Sequence, residues 1–202
     1  MKIFMFFGPS GSGKSTLPLH ICSHEQTEMI QFPSESDPNK AKFRLTLVPN
    51  RKLVLIGKYS NACGGADTIC RPIDGKNTAD LVFESIYKAV ELYKDKGYNI
   101  LAEGMLFGAF ALHRFEELYK FAEENGIEIT TVFFTSTVDE CLARIMQRNG
   151  GKPVNVNNIV QKQITVQRRI EQWNERGYKS YKFDNKGSKE ELIERLTKLI
   201  ES

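Results

Sequence analysis

Eight residues near the N-terminus, Gly8-Pro9-Ser10-Gly11-Ser12-Gly13-Lys14-Ser15, constrain this chain more than any other feature. They match G-x-x-x-x-G-K-[ST] at every fixed position. Glycines at this spacing let backbone N–H groups converge on an anion with no side chain in the way. A helix expected to begin near Lys14 adds the positive end of its dipole, and the lysine reaches the outer phosphates of a nucleotide. Upstream, residues 2–7 are a continuous apolar run, as a buried parallel strand requires. Buried strand, glycine loop and helix in succession are far more specific than the loop alone. The expected nucleotide contacts are Gly8, Ser10, Gly11, Ser12, Gly13, Lys14, Ser15 and Thr16. The Ser15 hydroxyl is the expected ligand for Mg²⁺.

Beyond the loop, strands and helices alternate. The helix from Lys14 is expected to run to residue 23, with Pro18 confined to its first turn, and residues 24–42 read as loop. Two short apolar runs, 43–48 and 52–57, flank Pro49-Asn50-Arg51 and read as a hairpin. Thr78 can cap a helix that stops at Gly97. Strands are expected at 99–102, 127–135 and 181–183, and helices at 107–125 and 157–176. Thr137 and Ser188 each begin a capping box that opens a further helix. This alternation predicts an α/β domain over residues 1–202, with a mostly parallel five-stranded sheet flanked by helices and a small β-hairpin insertion.

Composition sets the outer limits. Of 202 residues, 41% are hydrophobic and 26% charged, ordinary values for a globular chain. No stretch approaches membrane-spanning length, so the expected location is cytoplasmic, in the host cell if the source is viral. The four cysteines, Cys22, Cys63, Cys70 and Cys141, form no C-x-x-C pair and read as reduced thiols. A zinc site from Cys63 and Cys70 with Cys22 or His24 is the sharper alternative, but the spacing matches no zinc pattern. The net charge of +3 conceals an asymmetry, because residues 144–186 hold ten Lys/Arg against three Asp/Glu. A localised anionic partner is implied, nucleotide or DNA, rather than general coating of nucleic acid.

Two carboxylates compete for the catalytic roles. Glu103 ends the strand beginning at residue 99, where ligands of open α/β sheets bind. Asp67 lies in Gly64-Gly65-Ala66-Asp67-Thr68, whose glycines allow close backbone approach. Asp67 is assigned to the acceptor hydroxyl and Glu103 to Mg²⁺ or its water shell; the exchange of these roles stays open. For Asp67 the plain alternative is a turn aspartate that accepts backbone bonds. Arg144 and Arg148, four residues apart, share a helix face away from Leu142, Ile145 and Met146. They read either as a solvated basic face or as positive groups for a transferring phosphate, with Arg168 and Arg169 in support. Trp173, Tyr178 and Tyr181 read as core rather than as base-stacking residues.

The absence of N-K-x-D argues against a GTPase, and a strand ending in Glu-Gly rather than Asp argues against a motor. The early phosphate loop, the strand-end Glu103 and the late arginines around a Gly-Pro segment resemble the P-loop nucleoside and nucleotide kinases. That resemblance implies a P-loop NTPase fold, ATP with Mg²⁺, catalytic roles for Lys14, Asp67, Glu103, Arg144 and Arg148, and a short lid at about 149–158. Leu55-Ile56-Gly57-Lys58-Tyr59 followed by Cys63-Gly64-Gly65-Ala66-Asp67-Thr68 looks like phage-type kinases of this group, among them the 5-hydroxymethyluracil DNA kinases. Those phosphorylate the hydroxymethyl group of a modified base within DNA. A kinase of free deoxynucleosides or nucleoside monophosphates is the alternative, and a non-catalytic nucleotide-binding module the second.

Overall fold

A computed structural model describes residues 1–59, 64–69 and 71–201. Its centre is strand β1, Lys2–Phe7. Ile3, Met5 and Phe7 face one core, while Phe4 and Phe6 face another, and all five are buried. A strand covered on both faces needs apolar residues at every position, which is why this run is continuous.

β1 leads through the phosphate loop into α1, Thr16–His24, which starts two residues later than expected. Pro18 falls in its first turn, where a missing N–H costs no intrahelical bond. Residues 24–42 are not all loop, as expected, but hold strand β2, Glu28–Pro33, paired antiparallel with β3, Ala41–Val48. β2 is an edge strand with one solvated face, so Glu28 and Gln31 interrupt any apolar run. β3 turns through Pro49–Arg51 into β4, Leu53–Ile56, forming the hairpin the sequence implies.

α2, Thr78–Tyr93, is capped not by Thr78 but by Asn77, whose side chain accepts the Asp80 N–H while its own N–H donates to the Asp80 carboxylate. β5 spans Asn99–Gly104. α3, Leu112–Glu124, starts later than expected because Leu106–Gly108 forms a separate short turn. β6, Glu128–Phe134, leads to α4, Val138–Arg148, with the expected Thr137–Glu140 capping box. On α4, Met146 is 46% exposed, so the buried stripe is Cys141 and Ile145 instead. α5 covers Val156–Glu175, β7 Ser180–Phe183 and α6 Lys189–Glu201.

The sheet has seven strands rather than five, in the order β2-β3-β4-β5-β1-β6-β7. Five of them, β4, β5, β1, β6 and β7, are mutually parallel. The hairpin is therefore no insertion: β4 is a full member of the parallel set, and β3 and β2 extend the sheet from it. The core holding α2, α3 and α5 lies on one face, and that holding α1 and α6 on the other. Trp173 is fully buried and donates its indole N–H to Tyr119 and Thr131, confirming its place in the core. Among the described residues, no helix is long and apolar enough to cross a membrane.

Candidate active site

The C-terminal ends of β1 and β5 lie side by side, with Phe6 opposite Glu103 and Phe7 opposite Gly104. Above them opens a cleft of about 710 Å³. Ser10, Gly11, Gly13, Lys14, Ser15 and Thr16 line it, together with Asp67, Met105, Arg144 and Arg148. Gly8 and Ser12 lie behind it, with Ser12 fully buried. Gly11 and Gly13 have φ of +79° and +96°, conformations open to glycine. A Cβ on Gly11 would collide with the Cys141 carbonyl, and one on Gly13 with the Asn185 side chain.

The loop is gripped from behind. Arg144 donates from Nη1 to the Gly11 carbonyl at 3.1 Å and to Ser136 Oγ at 3.0 Å, and from Nη2 to the Asn185 carbonyl at 2.7 Å. Asn185 Nδ2 donates to the Ser12 carbonyl at 2.9 Å. The Gly11 and Ser12 carbonyls are anchored behind the loop, while within it the Ser12 N–H donates to the Pro9 carbonyl and the Thr16 N–H to that of Gly13. Arg144 is thus part of the cradle's frame. Arg148, exposed at the rim, has no ion-pair partner among the described residues.

Glu103 is fully buried on the α1 side of the sheet, and neither carboxylate oxygen has a hydrogen-bond partner among the described residues. Burial pushes its pKa up to about 7, with Asp67 adding to the rise and Lys14 opposing it. The Ser15 hydroxyl is near enough to favour the ionised form, but no well-formed hydrogen bond joins them. An orphaned carboxylate beside a lysine and a serine hydroxyl suits a hydrated Mg²⁺, which usually takes one or two protein oxygens plus phosphate and water.

Asp67 accepts the Met105 N–H at Oδ2, 3.0 Å, and the Leu106 N–H at Oδ1, 3.2 Å. It therefore is a turn aspartate that holds the segment leaving β5, and it also faces the cleft. An ionised carboxylate has about four acceptor sites, so two remain open to a ligand.

Several expectations meet a different outcome. Arg169 is buried, donates to the Gly108 and Phe110 carbonyls, and stands over the Phe115 ring, so it supports the scaffold rather than the cleft. The basic segment 144–186 does not form one face: Arg176 pairs with Glu116, Lys179 with Glu128 and Lys186 with Asp184. Of the zinc alternative, Cys63 and Cys70 lie outside the described residues, and burial pushes the Cys22 thiol up to about 11, away from the thiolate a metal needs. Asn185 and Ser136 were not singled out from the sequence, nor was Lys162, which reaches Met105 from α5.

Open parallel sheets bind ligands beyond their strand ends, and here that crevice is built for the phosphates of a nucleotide: the chain is a P-loop protein. A family model described as 5-hmdU DNA kinase matches residues 1–181, and the chain belongs to that family. It is 31% identical over 153 residues to the 5-hmdU DNA kinase of Pseudomonas phage PaMx11, covering 75% of this chain and 71% of that protein. Against 5-hmdU DNA kinase 1 of Salmonella phage ViI it is 26% identical over 164 residues, 80% of this chain but 66% of that relative, just under two thirds of its length. A solved deoxyadenosine kinase from M. mycoides with bound dATP is similar with a TM-score of 0.48 and 14% identity, covering 100% of both chains.

Proposed function

We propose that this chain transfers the γ-phosphate of ATP to the hydroxymethyl group of 5-hydroxymethyluracil within DNA. The observation that carries this is the cleft itself, lined by Lys14, Ser15 and Asp67, with the buried and unpartnered Glu103 close to all three. Membership of the 5-hmdU DNA kinase family supports the acceptor.

In this reading the loop amides and Lys14 hold the β- and γ-phosphates, and Ser15 and Glu103 hold Mg²⁺ directly or through water. Mg²⁺ would neutralise charge that develops on the phosphate oxygens. Asp67 orients the acceptor hydroxyl with its open lone pairs. The hydroxyl oxygen bonds to the γ-phosphorus, the bond to the β-phosphate oxygen breaks, ADP leaves, and the hydroxyl proton passes to solvent. Phosphoryl transfer asks for positioning and charge stabilisation more than for a strong base. The segment 149–155 between α4 and α5, with Arg148 before it, would serve as the lid of a single 1–202 kinase unit.

The base carrying the hydroxymethyl group must leave the duplex stack, at a cost of a few kcal/mol. Contacts to DNA phosphates release counterions, so activity on DNA should fall steeply with salt. The test is transfer of label from γ-labelled ATP to hydroxymethyluracil-containing DNA and to the matching free nucleotide, each across a salt series. Lys14→Ala serves as the dead control. Efficient labelling of the free nucleotide with inert DNA at low salt would replace this reading with a free-nucleotide kinase. ATP binding without labelling of any acceptor would leave a non-catalytic module.

A further inference from the structure

The buried face of α5 carries a lysine where its helical period calls for an apolar residue. Ile159, Val166, Ile170 and Trp173 are buried along one stripe. Lys162 stands three residues after Ile159 and four before Val166, which puts it on that same face. Arg169, the other cation of the stripe, finds two backbone carbonyls there. Lys162 has no such partner. It is half-buried, its one polar contact is the Met105 thioether, and no carboxylate pairs with it among the described residues.

Met105 shows where this ammonium is aimed. It leaves the end of β5 with its N–H on Asp67, and its sulfur accepts the Ser10 hydroxyl at 3.1 Å. Ser10 and Lys162 therefore meet at the Met105 thioether at the cleft, while Asp67 holds the backbone of the same residue. The charge of Lys162 is close enough to be felt by both Lys14 and Asp67. A thioether is a weak acceptor that cannot replace the water an ammonium gives up. A half-buried cation kept so close to a phosphate cradle is suited to a ligand with more negative charge than Lys14 balances alone.

We propose that Lys162 is a second phosphate-contacting lysine, whose ammonium turns from the Met105 thioether to the γ-phosphate and remains with the phosphoryl group as it transfers. This rests on the reading of the cleft as an ATP site. It gives α5, rather than α4, the cation that meets the transferring group.

The test separates the γ-phosphate from the rest of the nucleotide. ATP and ADP affinities are measured by calorimetry with Mg²⁺ for the wild type, Lys162→Met and Lys162→Arg. Methionine preserves the length and apolar character of the stripe, so the thermal midpoint of Lys162→Met should equal or exceed that of the wild type. ATP affinity should fall about tenfold in Lys162→Met while ADP affinity changes by less than about twofold. Lys162→Arg should keep most of the preference for ATP. Turnover of Lys162→Met should fall ~100-fold. Equal changes for ATP and ADP, or no change for either, would overturn the proposal. If the wild type binds ATP but labels no DNA, the acceptor reading fails alone, and the affinity comparison still decides the role of Lys162. If the wild type binds neither nucleotide, both readings fall.

Discussion

Arg144 holds the phosphate loop by the carbonyl oxygen of Gly11, 3.1 Å from its Nη1. The same guanidinium bonds Ser136 and Asn185, joining the ends of β1, β6 and β7. Arg144→Ala should lower unfolding stability by about 2–3 kcal/mol and weaken ATP binding with it. Arg144→Lys should recover little, because an ammonium cannot reproduce the planar fork. Urea unfolding and ATP titration check both. Unchanged stability and ATP affinity with reduced turnover would assign Arg144 to a lid instead.

Glu103 should make the nucleotide-free protein sensitive to pH. Its carboxyl titrates at about 7 when folded, against an ordinary 4.5. Between those values the folded chain keeps a proton that the unfolded chain has released, so stability is full below pH 4.5 and declines as pH rises through 7. Glu103→Gln stays neutral throughout. The stability of Glu103→Gln relative to the wild type should therefore increase by about 3 kcal/mol from pH 4 to pH 8. A difference that does not change with pH would mean that Glu103 titrates as an ordinary carboxyl.

Asp67 accepts two backbone N–H groups, and an asparagine there can accept at only one atom. Asp67→Asn should loosen the segment at Met105 and Leu106 and reduce turnover about 10- to 100-fold. ATP affinity should change little, because the cradle is held by other residues. Steady-state kinetics beside a binding titration separate the two. A loss confined to ATP affinity, with turnover intact, would place Asp67 with the nucleotide rather than the acceptor.

Gly11 and Gly151 have the same φ, +79°, in different surroundings. A methyl at Gly151 meets open space, whereas one at Gly11 collides with the Cys141 backbone. Gly151→Ala should cost about 1–2 kcal/mol in stability, from the backbone conformation alone. Gly11→Ala should cost more and should also abolish ATP binding, since α4 would be pushed away from the cradle. Equal effects of the two would show that the close packing of α4 on the loop is not what matters.

The parts of this fold that were legible in the sequence are those in which one segment carries its own signal. β1, the loop and α1 were readable because a buried strand, fixed glycines and a lysine occur in succession. The capping box at Thr137 was equally local. β2 was hidden because an edge strand needs only half its residues apolar, and Glu28 and Gln31 break the pattern. Asn77 was passed over for Thr78, although the Asp80 that completes its box lies three residues on. At the site, Lys14, Ser15, Asp67 and Glu103 could be picked out from glycine spacing and strand ends. Asn185 could not, because its partner Ser12 lies 173 residues away and only the sheet order brings them together. Lys162 was counted merely as part of a basic surplus. Its position in an apolar stripe was the available signal.

α5 also acts as a gauge for the width of the cleft. Gln163 donates to the Ser136 carbonyl beyond β6, and Arg169 holds the Gly108 and Phe110 carbonyls beyond β5. Six residues separate the two anchors, about 9 Å of helix. The spacing between the strand-end segments is thus measured off by a rigid rod rather than by loop length. Loops elsewhere on the rim can vary in length without altering that dimension. One residue inserted between Gln163 and Arg169 would turn the second anchor by about 100° and leave the opening without its ruler.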